Sequence, residues 1–227
     1  MTRARGTWIA VVGPIGVGKS TLAAVVARRT GALYVPERFG ENAFLQRFYE
    51  PGGIARWGFQ TEVAFLTQRF DQSREIEAML SAGRSVVTDF APQQNLVFAS
   101  ITLSAAEFAL YAELFERLFA GLAPPDRLIC LDAEPRTILR RIRRRAREME
   151  SAIDPAYLRH LRGGYARWRE SPPAPALWID TTKLPIPDDL VARAEALDAV
   201  MRSLEPSTRE ALFGRVGSAA VEGLEAQ

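Results

Sequence analysis

One octapeptide limits the folds open to this chain more than any other feature. Residues 13–20 read Gly13-Pro14-Ile15-Gly16-Val17-Gly18-Lys19-Ser20, which fits the pattern G-x-x-x-x-G-K-[ST]. An apolar run, Trp8 to Val12, precedes it, and Thr21 to Arg29 follows with helical character. Strand, glycine turn and helix in that order form a cradle for phosphate. The glycines let successive backbone N–H groups point at phosphate oxygens, and the helix adds the positive end of its dipole. Lys19 is placed to reach the β- and γ-phosphates and the Ser20 hydroxyl to ligate Mg²⁺, with Thr21 completing the nucleotide-binding set. The expected ligands are ATP and Mg²⁺. A glycine-rich turn with no ligand is the simpler reading, and the full pattern with both flanks argues against it.

The rest of the chain is consistent with a single α/β domain. At 227 residues it is long enough for one substantial core and too short for two ordinary ones. A net charge of +2 implies no general affinity for nucleic acid or membranes. The lysines are Lys19 and Lys183 alone, so the first lies on the phosphate-binding position against a background of arginine. Cys130, the single cysteine, sits in an apolar run and rules out an internal disulfide; it reads as a buried strand residue. The single His160 cannot build a histidine metal cluster, and surface or packing is its expected role. With no signal peptide or long apolar span, the expected location is the cytoplasm.

Short apolar runs alternate with helical patterns. The runs are Trp8–Gly13, Ala32–Glu37, Ser85–Asp89, Arg127–Asp132 and Leu177–Thr181. Each is nearly continuous in apolar residues and ends in a polar residue or glycine, as parallel strands covered on both faces should. Between them, Gly31 can end a helix, Ser104-Ala105-Ala106-Glu107 fits a capping box, and Pro135 suits a first helical turn. The alternation predicts a doubly wound α/β domain, a five-stranded parallel sheet with helices on both faces. Residues 1–204 make one domain, and 205–227 form a weakly ordered tail.

Ligands of such a sheet bind at the carboxyl ends of its strands, where several polar residues fall. Glu37, ending the second run, can accept the proton of a hydroxyl attacking the γ-phosphate, or be a solvent-facing strand-end acid. Asp89, ending the third, can hold Mg²⁺ or simply form a turn. Trp57–Phe70 is helical, with Phe59, Val63, Leu66 and Phe70 as an apolar core stripe and Gln60, Ala64 and Thr67 beside it. An amide such as Gln60 offers the donor and acceptor that reading a base edge requires, although taken alone a solvated glutamine is the better reading. The run Arg140–Arg147 is open to three readings: a nucleic-acid patch, a solvated face, or a mobile lid that neutralises a transferring phosphoryl group.

Together these residues resemble the bacterial deoxynucleoside kinases of the deoxyadenosine/deoxyguanosine kinase type, related to deoxycytidine kinase. The likeness runs from about Trp8 to Asp180. It rests on residues 13–22, Glu37, Glu41-Asn42-Ala43-Phe44-Leu45 with Phe48-Tyr49, Phe59-Gln60-Thr61, Phe65-Leu66-Thr67-Gln68-Arg69-Phe70, Asp89, Phe98-Ala99 and Pro125-Asp126. The lid pattern R-I-x-x-R-G-R-x-x-E appears as Arg141 to Glu150, with Ala146 at the usual glycine. The resemblance implies a P-loop kinase fold with a helical lid at about 141–152. It implies that Glu37 is the general base for the 5′-hydroxyl and that Gln60 pairs with the base. It places Tyr49 and Glu150 on the sugar 3′-hydroxyl, and Arg141, Arg145 and Arg147 around the phosphates.

Two positions depart from the pattern. Phe90 stands where many members carry an arginine after the strand-end acid, so orientation of the 5′-oxygen must come from elsewhere. Asn95 stands where many carry an aspartate that contacts the base, and an amide can donate as well as accept. Thr67 occupies the place of an arginine in cytosine-preferring relatives. The implied activity is transfer of the γ-phosphoryl group of ATP to a purine deoxynucleoside, deoxyadenosine first, in nucleotide salvage. A homodimer through the apolar helix near Phe108–Phe119 is implied too. The alternatives are a nucleoside monophosphate kinase of the thymidylate kinase kind and a weakly active regulatory subunit of a heterodimer; Phe90 argues against the first.

Overall fold

A computed structural model describes residues 4–146 and 153–213. Its centre is a five-stranded parallel sheet of order β2-β3-β1-β4-β5. The strands are β1 (Trp8–Val12), β2 (Leu33–Val35), β3 (Val86–Thr88), β4 (Arg127–Asp132) and β5 (Ala176–Asp180). All five fall inside the expected apolar runs or within one residue of them. β2 is shorter than its run because Pro36 has no N–H to continue the ladder.

The central strand β1 is buried along its whole length. Its register pairs Ile9 with Val87 of β3 and Ala10 with Leu128 of β4. Alternate residues point to opposite faces. Ile9 and Val11 pack with Leu22 and Val26 of α1 (Lys19–Thr30) and with Ala196 and Val200 of α8 (Leu190–Ser203). Trp8 packs on the other face against Ile76 and Leu80 of α3 (Gly53–Ser81). Helices therefore cover both faces, which is why β1 can be apolar at every position.

Local signals appear where the chain carries them. Gly31 caps α1 with φ 67°, and Ser104 and Glu107 close a capping box at the start of α5 (Ala105–Phe119). α2 (Leu45–Tyr49) and α4 (Gln94–Thr102) flank α3, while α6 (Pro135–Arg145) and α7 (Pro155–Glu170) each begin on a proline. α9 (Pro206–Phe213) lies within the segment expected to be weakly ordered, and its Leu212 packs on the main core.

The long helix α3 differs most from expectation. It spans 29 residues, a length of about 44 Å at 1.5 Å per residue. Of the expected apolar core stripe only Leu66 is fully buried; Phe59, Val63 and Phe70 are half-buried. Val63 and Phe70 belong to the side that meets α5, where the Phe70 and Phe119 rings stand edge-on at 5.7 Å. Besides Gly53, Gly58 and Leu66, the buried positions are Thr61, Glu62, Arg69, Gln72 and Ser73, followed by Ile76 and Leu80. A buried polar face on an otherwise ordinary helix marks where the molecule spends stability for function.

Candidate active site

The anion loop has the backbone its glycines predict. Gly13, Gly16 and Gly18 adopt φ of 145°, 77° and 109°. A Cβ on Gly13 would lie 2.3 Å from the Leu131 carbonyl oxygen. Lys19 Nζ donates to the carbonyls of Gly13 and Pro14, both at 3.0 Å. Burial lowers the Lys19 pKa, and the nearby charges of Glu37 and Asp89 pull it back only in part.

Asp89, just past β3, collects three donors. Ser20 Oγ donates to Oδ2 at 2.5 Å, Tyr34 Oη to the same oxygen at 3.0 Å, and the Glu37 backbone N–H to Oδ1 at 2.7 Å. This carboxylate therefore pins the end of β2 to the start of α1. Burial and the Asp89 charge raise the Tyr34 pKa, so its hydroxyl stays a donor. A hydroxyl and a carboxylate facing each other at an anion loop are the hard-oxygen donors that Mg²⁺ takes, with phosphate and water completing its shell. Among the described residues no cluster of three or more His, Cys, Asp or Glu could hold a metal by itself. The residues present fit Mg²⁺ on those terms.

Beside the loop opens a second pocket, which shares Gly16, Lys19, Ser20 and Arg145 with it. Its walls are aromatic, from Phe39, Phe48, Phe65 and Phe98, with Tyr49 and Tyr157 edge-on to Phe48. Glu37, Glu62, Arg69, Asp89 and Gln94 supply its polar lining. Glu37 thus lies in one pocket with Lys19.

Arg69 is the functional residue that sequence reasoning missed. Its guanidinium bonds Glu37 Oε1 through Nη2 and Asn95 Oδ1 through Nη1. Burial works against its charge, but Glu37, facing and hydrogen-bonded to it, more than offsets this, and the Arg69 pKa ends above its usual value. The cation missing at position 90 is therefore supplied from just past the middle of α3. Phe90 is fully buried among Trp8, Ile76, Leu80 and Val86. The available signal was the 3–4 residue spacing of Glu62, Leu66, Arg69 and Ser73, which puts polar groups on the same helix face as a core leucine.

Other expected positions separate. Gln60 is exposed and does not line the pocket; Glu62, two residues on, does. Thr67 is also exposed, its hydroxyl donating back to the carbonyls of Val63 and Ala64. Asn95 is buried behind Arg69. Tyr49 lines the pocket. In the lid, Arg145 lines both pockets. Arg141 lines the loop side but is buried and committed, donating to Thr181 Oγ1 and Thr181 O at 2.8 Å and to Asp188 at 3.2 Å. Thr181 Oγ1 in turn donates to Val17 O at 3.1 Å, so Arg141 braces the anion loop from below. Bonds from Arg144 and Arg141 hold the Asp188 pKa below the usual range despite its partial burial. Arg147 and Glu150 lie outside the described residues. Cys130 is buried, which pushes its thiol up to about 12 and suits a packing role; His160 is exposed on α7.

A family sequence model described as deoxynucleoside kinase matches residues 9–206. A deoxyguanosine kinase of Bacillus subtilis is 34% identical over 159 residues, covering 70% of this chain and 76% of that protein. A deoxyadenosine kinase of Dictyostelium discoideum is 31% identical over 207 residues, covering 87% and 81%. A solved deoxyadenosine kinase of M. mycoides with bound dATP superposes with a TM-score of 0.73, covering 86% of this chain and 99% of that one at 19% identity, a likeness of fold.

Proposed function

The chain belongs to the deoxynucleoside kinase family, and from that premise we propose that it moves the γ-phosphoryl group of ATP to the 5′-hydroxyl of a purine deoxynucleoside. It is a phosphotransferase acting on a nucleoside hydroxyl. The observation that carries the finer reading is Glu37 in one pocket with Lys19, at the mouth of the anion loop.

The loop's N–H groups and Lys19 hold the triphosphate, and Lys19 and Arg145 face the charge that develops on the transferring group. Ser20 and Asp89 hold Mg²⁺, which neutralises phosphate charge when bound. Arg69 fixes one oxygen of Glu37 and leaves Oε2 to take the 5′-OH proton as O5′ bonds phosphorus and ADP leaves. The aromatic walls grip the nucleoside and exclude water that would otherwise be phosphorylated. Tyr49 lies among those walls, suited to the sugar; the resemblance assigns Glu150 to the sugar as well and Arg147 to the phosphates.

Glu37→Gln tests this directly. Turnover should fall about 10³-fold, within the range for loss of a general base, with ATP affinity nearly unchanged. Undiminished turnover would overturn the assigned base. A purine acceptor accords with relatives named deoxyguanosine and deoxyadenosine kinases. Thr67, read as a sign against cytosine, lies outside the pocket. A cytoplasmic salvage role and a homodimer through the α5 face, where Leu110 is 58% exposed, complete the proposal; among the described residues no helix is long and apolar enough to cross a membrane.

A further inference from the structure

Glu62 has no part in the transfer step, yet it is a buried carboxyl in the wall of the acceptor pocket. It is 2% exposed, it lines the pocket, and its Oε2 has no hydrogen-bond partner. A buried carboxyl without a partner is expensive, so its position implies a ligand that completes it.

Four helices bring groups toward it. Arg69 comes from the same helix, two turns on. Tyr111 of α5 donates from Oη to the Glu62 backbone carbonyl at 3.3 Å, Tyr157 comes from α7, and Thr102 from α4. Burial pushes both tyrosines well above their usual pKa, so they stay neutral. The Thr102 hydroxyl is near enough to favour ionisation, but neither it nor Glu62 Oε2 has a partner in bonding geometry. Burial pushes the Glu62 carboxyl up to about 7, with the Arg69 charge pulling downward. Lys19, Glu37, Asp89 and Arg145 line the same pocket.

An ionised carboxylate only accepts, and two adjacent N–H donors satisfy it best. Guanine offers that pair at N1–H and N2–H. Adenine and cytosine set one donor beside one acceptor, and thymine has a single N–H between two carbonyls. Guanine's neighbouring acceptors, O6 and N7, suit a guanidinium, and the buried Nε of Arg69, a donor lining the same pocket, lacks a partner. The acceptor at Glu62 and the donor at Arg69 mirror the guanine edge.

We propose that Glu62 selects the base, its carboxylate accepting from N1–H and N2–H of guanine so that deoxyguanosine is the preferred acceptor. This rests on the reading that the pocket holds a deoxynucleoside.

The test is kcat/KM for deoxyguanosine, deoxyinosine, deoxyadenosine and deoxycytidine, in the wild type and in Glu62→Gln. Deoxyguanosine should exceed deoxyinosine, which lacks the N2 amino group, by about tenfold or more. Glu62→Gln should lower the deoxyguanosine value about 10²-fold and shift the preference toward deoxyadenosine, since an amide matches N6–H and N1. A protonated acid offers the same donor and acceptor as an amide. The wild-type preference for deoxyguanosine over deoxyadenosine should therefore rise about tenfold or more from about pH 6 to about pH 8. The deoxyinosine comparison and the pH profile need no variant. Preference for deoxyadenosine or deoxycytidine at every pH, indifferent to Glu62→Gln, overturns the base assignment and leaves the kinase reading standing. If the wild type phosphorylates no deoxynucleoside, the acceptor reading fails and takes this inference with it.

Discussion

The anion loop and the acceptor pocket share Lys19 and Ser20, yet they are built in opposite ways. The loop is a contiguous stretch of backbone, shaped by glycines and tied by short-range bonds such as Lys19 to Gly13. The pocket is assembled from side chains spread from position 15 to position 157, on elements that meet only in the folded chain. Backbone recognition of phosphate tolerates little variation, because every nucleotide presents the same phosphates. Side-chain recognition of the acceptor can be retuned residue by residue. The difference teaches where to look for individuality: in the polar face of α3, not in the loop.

Three substitutions can break or sharpen that contrast. The largest effect belongs to Lys19→Met, which should cut turnover about 10³-fold through loss of a preorganised cation, while deoxynucleoside binding measured by calorimetry stays within about twofold. Equal loss of both would mean that the two sites are one. Arg69→Met acts on the other side. It leaves Glu37 and Asn95 without their shared partner, and a denaturant titration should show about 3 kcal/mol lost. Turnover should fall with nucleotide affinity retained, because the loop does not depend on Arg69. The smallest effect is a gain at Ala146→Gly. Ala146 holds φ 50° at the end of α6, its N–H bonded to Ile142 O at 3.1 Å, a left-handed cap that glycine occupies without strain. Thermal unfolding should show about 0.5–1 kcal/mol of added stability. A loss instead would show that this backbone turn is not the reason the lid pattern carries glycine there.

Much of the frame was legible because it is written in local chemistry. Five apolar runs became five parallel strands in the expected places, and Gly31 and the Ser104–Glu107 pair ended and began helices as read. The acid positions followed from the same logic, since Glu37 and Asp89 sit at strand ends. What failed was the choice of residues along α3. Gln60 carried the right functional groups but faces solvent, while Glu62 and Arg69, to which the sequence reading gave no role, are buried. Helical periodicity places residues on faces without saying which face meets the core. The apolar stripe suggested one answer, yet packing turned it toward α5 and sent the polar stripe inward. Arg141, read as a lid arginine around the phosphates, lines the loop-side pocket and is also a buried brace between Thr181 and Asp188.

The sequence by itself determined the phosphate cradle, the order of strands and helices, and the acids at the strand tips. Those depend on backbone conformation and local spacing, which neighbouring residues dictate. Tertiary structure alone decided that Arg69 supplies the cation beside Glu37, that Phe90 is core, and that Glu62 lines the acceptor pocket. Each is a matter of which side chains are buried, and burial is settled by distant segments packing together.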